Sequence, residues 1–155
     1  MENFRQLNPG IAISGQPSSA DLDSLVAQGF RTVVNLRTSD EPGFLDEEER
    51  EVESRALNYA EVPISPALLN DDAVARFSQA LDSIDGTPAL VHCRSGGRAE
   101  MMTLLHMAVG GGWSLEQTLE VGREMGDLAP SENSPYRAFF EDYLRRRSAG
   151  ERVVE

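Results

Sequence analysis

The sequence predicts an α/β fold, in which a central, mainly parallel sheet of four to five strands is flanked by helices and followed by a C-terminal helical part. Two observations predict it. Up to residue 92, short apolar runs alternate with segments whose apolar residues recur at helical spacing. Beyond residue 97 only helical patterns follow, at about 98–109, 114–125 and 135–147. In such a sheet, a site is expected at the carboxyl ends of the strands.

Four strands are predicted from the apolar runs in the first part of the chain. They cover residues 11–14, 32–36, 59–62 and 89–92. The second of these begins with three β-branched residues in a row, which fit a pleated and buried surface. Pro63 ends the third strand, because proline has no amide N–H to donate to a neighbouring strand.

Two helices carry capping boxes that predict where they begin. Ser18 and Asp21 have the spacing of such a box before the first helix, and Gly29 is expected to close that helix. Ser114 and Gln117 have the same spacing before the helix at 114–125. Both helix starts are therefore predicted from side chains that satisfy the first backbone amides.

Two further helices are predicted from charge and from apolar spacing. A charged helix is expected at 46–56, with the acidic run at 47–53 forming its solvated face. Another is expected at 71–84, where Asp71 and Asp72 are predicted to act as caps.

Composition limits the classes of function. A chain of 155 residues is predicted to form a single domain, 1–155, and its formal net charge of −12 argues against a nucleic-acid-binding surface. No basic leader is followed by an apolar run, and no eighteen apolar residues occur together. With one cysteine, which suits a reducing compartment, a soluble cytoplasmic protein without a membrane partner is expected. The oligomeric state is left open.

The segment 91–98, Val-His-Cys-Arg-Ser-Gly-Gly-Arg, carries the strongest functional signal. It places Cys93 on a glycine-rich turn between the strand at 89–92 and a helix. Glycines let backbone amides approach an anion closely, and a helix N-terminus attracts negative charge. Together with Arg94 and Arg98, these features are expected to favour a solvent-facing thiolate and to hold an incoming oxyanion. A merely structural cysteine would need none of them.

The residues predicted to bind the substrate are four from this loop and one from a neighbouring strand end, namely Arg94, Ser95, Gly96, Gly97 and Arg37. For Arg37, a surface ion pair with Glu41 is an equally good interpretation. No metal and no cofactor are expected, because one cysteine and two histidines offer no ligand pairs at zinc spacing.

Four segments, in this order, resemble the cysteine-dependent phosphatases of the dual-specificity and protein-tyrosine type. They are residues 13–17, 29–37, 59–63 and 92–98, and the whole resemblance spans about 8–128. Within that superfamily, the chain is most similar to the bacterial phosphatase-like domain that occurs alone or fused in beta-lactamase hydrolase-like proteins. The C-terminal helix at 135–147 lies beyond the resemblance.

The resemblance implies roles for the loop residues. It implies that Cys93 is the nucleophile, that Arg98 is the guanidinium that binds substrate oxygens, and that His92 supports the thiolate and the loop. Gly96 and Gly97 would permit the tight turn. A planar guanidinium suits this task because it can hold two oxyanion oxygens at once.

Three features depart from the dual-specificity pattern. Cys93 and Arg98 enclose four residues, whereas phosphatases of this type have five; the shorter loop is similar to that of rhodanese sulfurtransferases, which the rest of the chain does not resemble. Ala99 stands where a hydroxyl residue is usual. The position expected for the general acid falls at residues 65–66, which are serine and proline. Asp71 and Asp72 would supply an acid only if their loop folded back.

The leading hypothesis is therefore hydrolysis of phosphate monoesters through a cysteinyl-phosphate intermediate. Without a positioned acid, activated aryl phosphates are expected to be better substrates than alkyl phosphates. The first alternative is sulfur transfer through a cysteine persulfide. The second is a non-catalytic module that binds an anion. The expected partner is a small phosphate- or sulfur-containing anion or a phosphoprotein.

Overall fold

The computed structural model describes residues 1–82 and 86–154, with side chains described up to residue 147. The strands are β1 Arg5–Asn8, β2 Ile11–Ser14, β3 Thr32–Asn35, β4 Asn58–Glu61 and β5 Ala89–His92. The helices are α1 Ser19–Ala27, α2 Glu48–Glu53, α3 Asp71–Asp82, α4 Gly97–Gly111, α5 Leu115–Glu124 and α6 Arg137–Val154. None of these helices is both long enough and apolar enough to cross a membrane.

The five strands form one sheet in the order β1-β2-β5-β3-β4. Only β1 is antiparallel to its neighbour, so the predicted α/β fold class with a mainly parallel sheet is confirmed. The sequence pattern missed β1, because its residues are Arg-Gln-Leu-Asn and only one of the four is apolar. An edge strand with one solvated side does not need the apolar run of a central strand.

Helices cover both faces of the sheet. Along β5, alternate side chains point to opposite faces, so that Val91 packs in one core cluster and Leu90 in the other. The cluster around Val91 includes apolar residues of α3 and α4, such as Phe77 and Leu104. The cluster around Leu90 includes Leu25 of α1 and Val52 of α2. Burial on both faces explains why the central strands are mostly apolar.

Parallel register brings three strand ends to one edge of the sheet. His92, the last residue of β5, pairs with Ser14 at the end of β2 and with Asn35 at the end of β3. The loops that follow these strands therefore meet at the carboxyl edge of the sheet. This edge is where the sequence predicted the site.

The capping boxes of α1 and α5 are present as predicted. The Ser18 and Ser114 side chains each accept a hydrogen bond from the backbone amide three residues on. The predicted caps of α3 are wrong, because Asn70 Oδ1 accepts from the Ala73 amide at 2.8 Å. The predicted end of that helix at residue 84 lies outside the described residues.

Asp71 and Asp72 instead form ion pairs along the helix surface. Asp71 binds both terminal nitrogens of Arg146 on α6, at 2.8 and 2.9 Å, while Asp72 pairs with Arg76 at 2.9 Å. These contacts occupy both carboxylates on a surface formed by α3 and α6. Neither lines the cavity that holds the cysteine.

Candidate active site

The cysteine loop joins the end of β5 to the start of α4. Gly96, the residue before α4, has φ +117°, a left-handed conformation that favours glycine. This turn directs the Gly96 amide to Cys93 Sγ, which accepts its hydrogen bond at 3.1 Å. The loop is therefore shaped to place a backbone donor at the sulfur.

Cys93 is buried, with 1% of its surface exposed. The expectation that its sulfur faces bulk solvent is therefore wrong. Cys93 instead contributes to the lining of a cavity of about 390 Å³, into which a ligand would have to enter. The other residues around this cavity come from the loop, the first turn of α4 and the segment between α5 and α6, namely Ser95, Gly97, Arg98, Glu100, Met101, Leu128, Ala129, Pro130, Ser131, Ser134 and Tyr136.

Arg98 shares the cavity with Cys93 and is held there by Glu41. The Glu41 carboxylate accepts hydrogen bonds from Arg98 Nη1 at 2.9 Å and from Nη2 at 3.0 Å. Arg98 Nη1 also donates to the carbonyl oxygen of Ile64, at 3.0 Å. The guanidinium is therefore fixed by a bidentate ion pair and by a backbone contact.

The Arg98–Glu41 pair shifts the pKa values of both partners. Burial alone would raise the pKa of Glu41, but hydrogen bonds from Arg98, the Thr38 amide and Arg37 outweigh it and lower that pKa to about 2. The hydrogen bonds with Glu41 also raise the pKa of Arg98, against the opposing effect of burial. Both groups therefore carry their charges throughout the neutral pH range.

Arg37 does not contribute to the cavity that holds Cys93. It is buried, with 3% of its surface exposed, and its Nε donates to Glu41 at 2.8 Å. Its terminal nitrogens donate to Gln16 Oε1 and to the Pro42 carbonyl, at 2.9 and 2.5 Å. The interpretation as a partner of Glu41 is therefore right, although the pair is not at the surface. Substrate contact by Arg37 is not supported.

His92 is fully buried beneath the cysteine loop and is held from α2. Its Nε2 lies 2.5 Å from Glu48 Oε2, and its Nδ1 lies 3.3 Å from the carbonyl oxygen of Cys93. Glu48 is 2% exposed and also accepts from Gln16 Nε2 at 2.6 Å. The prediction that the acidic run forms only a solvated face is therefore wrong at Glu48, which turns inward to a buried polar partner.

The remaining loop residues are only partly brought together. Ser95 and Gly97 line the cavity with Cys93, whereas Gly96 contributes its amide to the sulfur. The Arg94 side chain is exposed and does not line this cavity, so a direct role for it in binding there is not supported. Its carbonyl oxygen instead accepts a hydrogen bond from the Gln16 amide at 3.2 Å.

Sequence reasoning missed three residues of the site. The sequence indicates Glu41 only as a partner of Arg37, four positions earlier, and Glu48 only as part of an acidic run. Tyr136 belongs to an apolar stripe at helical spacing, which indicates core packing. A buried glutamate among exposed ones leaves no signal in composition, and the proximity of Tyr136 to the loop depends on how α6 packs.

The family model of the beta-lactamase hydrolase-like protein, phosphatase-like domain, matches residues 3–110. A beta-lactamase hydrolase-like protein of Xylella fastidiosa strain Temecula1 is 30% identical over 124 residues, which are 77% of this chain and 28% of that protein. One of Agrobacterium fabrum strain C58 is 31% identical over 109 residues, or 68% of this chain and 25% of that protein. The chain thus spans about a quarter of the length of these relatives.

Solved structures with this fold include several phosphatases. TpbA of P. aeruginosa in complex with pTyr has a TM-score of 0.68 and 19% identity, covering 95% of this chain and 90% of that one. The core catalytic domain of the PP-IP phosphatase SIW14 of S. cerevisiae, in complex with citrate, has a TM-score of 0.64 and 17% identity, covering 99% and 95%. Tk-PTP in its active form has a TM-score of 0.72 and 22% identity, covering 93% and 97%.

At these identities, the solved structures establish the shared fold alone. The family match establishes more, because it covers well over half of the chain and includes both the end of β2 and the cysteine loop. It confirms the resemblance that the sequence motifs indicated. The chain belongs to the family of phosphatase-like domains found in beta-lactamase hydrolase-like proteins.

Proposed function

We propose that this protein is a cysteine-dependent phosphatase of the protein-tyrosine and dual-specificity type, which hydrolyses phosphate monoesters through a cysteinyl-phosphate. One observation carries the proposal: Cys93 Sγ accepts the Gly96 amide at 3.1 Å and shares a cavity with Arg98. Backbone donors stabilise a thiolate, and a guanidinium stabilises the oxygens of a phosphoryl group. Membership of a phosphatase-like family supports the same chemistry.

The geometry of Arg98 supports a defined mode of phosphate binding. A guanidinium has five N–H donors in a planar fork, and the contacts with Glu41 and Ile64 use three of them. The two that remain are the Nε–H and one Nη2–H, which lie side by side on one edge. Two oxygens of a phosphoryl group would bind along that edge while Glu41 holds the opposite end.

In the first chemical step, the Cys93 thiolate attacks phosphorus. The S–P bond forms, the bond from phosphorus to the ester oxygen breaks, and that oxygen takes up one proton to leave as the alcohol; the water of the second step gives this proton back. In the second step, water attacks phosphorus, the S–P bond breaks, and inorganic phosphate and the thiolate are regenerated. Ala99 supplies no hydroxyl to assist this step. We therefore expect a burst of alcohol release followed by slower turnover.

The expected substrate is a small phosphate ester. Apolar residues such as Met101 and Leu128 line the cavity alongside Arg98, and together they suit an anion attached to a carbon group. TpbA and SIW14 are seen in complex with pTyr and citrate respectively, which are both anionic ligands.

The first test combines loss of the nucleophile with alteration of the guanidinium. Cys93→Ser is expected to abolish release of p-nitrophenol from p-nitrophenyl phosphate, because the hydroxyl is a far weaker nucleophile at neutral pH. Arg98→Lys is expected to lower kcat/KM by about 10²-fold, since an ammonium cannot replace the two adjacent N–H donors on one edge of the guanidinium. Arg76→Lys, which alters an exposed arginine of α3, is the matched control and is expected to keep normal activity.

A parallel assay with thiosulfate and cyanide measures sulfur transfer. Cys93-dependent phosphate release with no thiocyanate formed is the expected result. Thiocyanate formation without phosphate release would contradict the proposal in favour of a sulfurtransferase. The absence of both products would leave an anion-binding module as the better explanation.

A further inference from the structure

One wall of the cavity comes from a part of the chain that the family match does not cover. The match ends at residue 110, whereas residues 128–136, between α5 and α6, supply half of the residues around the cavity. Two of them carry aliphatic hydroxyls, Ser131 and Ser134, and Tyr136 carries a phenol. The polar groups of this wall therefore lie outside the segment that the family model matches.

Internal hydrogen bonds hold this wall in place. The buried Leu128 donates its amide to the Gly122 carbonyl of α5 at 3.0 Å. Arg137 Nη1 donates to the Pro130 carbonyl at 2.7 Å, and the Tyr136 amide donates to Ser134 Oγ at 3.1 Å. Because the wall is bonded to both α5 and α6, Tyr136 is presented to the cavity from a fixed backbone.

Tyr136 is half-buried and lines the same cavity as Cys93 and Arg98. Within the described part of the chain, no hydrogen bond to its hydroxyl is found. Its backbone N–H and its backbone carbonyl are both hydrogen-bonded. Burial raises the pKa of Tyr136; the charge of Arg98 opposes this, while Cys93 and Glu41 reinforce it. The hydroxyl therefore keeps its proton at neutral pH and has a donor left for a ligand.

We propose that Tyr136 is the general acid of the reaction, a proposal that rests on the phosphatase function above. As the bond between phosphorus and the ester oxygen breaks, the Tyr136 O–H gives its proton to that oxygen and becomes a phenolate. In the second step, the water that attacks the cysteinyl-phosphate gives a proton back to the phenolate. The enzyme thus returns to its starting state with no other reactant.

The other acidic groups near the cavity suit this role less well. The position where dual-specificity phosphatases carry their acid is occupied by Ser65, whose hydroxyl accepts the Leu68 amide at 3.2 Å. Glu100 lines the cavity, but its carboxylate forms an ion pair with Arg5. Burial raises the pKa of Glu100 against the opposing effect of Arg5, so Glu100→Gln is included in the test below as the rival acid.

A phenolic acid selects a class of leaving group. An ordinary tyrosine has a pKa of about 10, and burial raises that of Tyr136 further. Its proton therefore passes downhill to a departing alkoxide but not to p-nitrophenolate, which leaves without help. The substrates that benefit most are therefore phosphate monoesters of alcohols. The earlier expectation of a strong preference for activated aryl esters would then hold only for a variant that lacks the hydroxyl.

The test compares Tyr136→Phe with Tyr143→Phe on three substrates of increasing leaving-group pKa: p-nitrophenyl phosphate, phenyl phosphate and butyl phosphate. Tyr143 lies on α6 and stacks on Phe139. Its variant therefore controls for the loss of a tyrosine hydroxyl at a position that does not line the cavity. Tyr136→Phe is expected to lower kcat/KM for butyl phosphate by about 10²-fold or more, and to change that for p-nitrophenyl phosphate less than threefold. Tyr143→Phe is expected to change neither.

An equal loss on all three substrates, or no loss on any, would overturn the role of Tyr136 as an acid. A selective loss caused by Glu100→Gln in place of Tyr136→Phe would overturn it as well and assign the acid to Glu100. If the wild type releases no phosphate, or if Cys93→Ser releases it equally fast, the phosphatase function itself fails. Failure of the phosphatase function can be told apart from failure of the Tyr136 role, because it is seen in the wild type and in Cys93→Ser before any tyrosine is changed.

Discussion

Glu41 is a single carboxylate shared by two arginines with different surroundings. Its two oxygens accept from Arg98, at the cavity, at 2.9 and 3.0 Å, and one of them accepts from the buried Arg37 at 2.8 Å. Arginine stays charged at every accessible pH. Loss of the charge on Glu41 therefore leaves Arg37 buried without a counter-ion and allows the Arg98 guanidinium to rotate.

The lowered pKa of Glu41 predicts how this pair depends on pH. Its pKa falls from an ordinary 4.5 to about 2 in the folded protein, so the pair contributes stability above pH 4.5 and loses it as the pH falls toward 2. The difference in free energy of unfolding between wild type and Glu41→Gln is expected to narrow across that range, as measured by urea titration. Asp40→Asn, at the exposed neighbouring residue, is the control. A difference that stays constant from pH 5 to pH 2 would contradict the assigned pair.

The end of β2 packs against the cysteine loop, backbone to backbone. A Cβ atom at Gly15 would lie 2.7 Å from the carbonyl oxygen of Arg94 and 3.2 Å from Ser95 Cα. The next residue, Gln16, donates its amide to that same carbonyl at 3.2 Å. Because both neighbours are backbone atoms, the loop cannot make room by a side-chain rotation. The Gly-Gln-Pro segment therefore supports the loop through close approach.

Gly15→Ala is expected to lower kcat/KM for p-nitrophenyl phosphate by about 10²-fold, because a displacement of the loop by a few tenths of an ångström or more misplaces the nucleophile. Gly110→Ala is the matched control: it lies on α4, where an added Cβ meets nothing within 4 Å. Similar activities for the two variants would show that the loop tolerates this displacement.

Across the whole molecule, a chain with a formal net charge of −12 surrounds the cavity for which we propose anion binding. The long-range field therefore opposes binding, and the favourable terms come from short contacts with Arg98 and with backbone amides. The charges of Glu41 and Arg98 compensate each other. The site would therefore attract an anion mainly through the oriented N–H donors of Arg98 and of the backbone. Binding of phosphate should consequently depend on the integrity of the guanidinium.

Inorganic phosphate is expected to stabilise the folded protein. At a concentration one hundred times its Kd, it would add about 2.7 kcal/mol, or a rise in Tm of about 5–10 °C for a chain of this length. Thermal unfolding in phosphate and in sodium chloride of equal ionic strength separates binding from screening. In Arg98→Lys, most of this rise in Tm is expected to be lost. An equal rise in both salts, or an undiminished rise in the variant, would indicate that phosphate does not bind at Arg98.

Local patterns in the chain were sufficient to predict the parallel part of the sheet, most helices and the cysteine loop. Alternating runs predicted the four parallel strands, and the capping boxes predicted the starts of α1 and α5, because each depends on residues within a few positions of one another. The motif at 91–98 likewise predicted the turn that holds the cysteine, the arginine and the glycines. The polar strand β1 escaped prediction because it forms only where β2 offers it an edge.

The partners of these residues come from distant parts of the chain. Glu41 reaches Arg98 across 57 positions, and Glu48 reaches His92 across 44. The burial of Cys93 and the placement of Tyr136 beside it depend on how α6 and the segment before it close over the sheet edge. The spacing of residues along the chain indicates which side chains share one face of a helix or strand. Which helices, strands and loops contact one another is determined by tertiary packing. The residues of the loop could therefore be predicted from the sequence alone, but the side chains that hold the loop and the cavity wall formed by residues 128–136 could not.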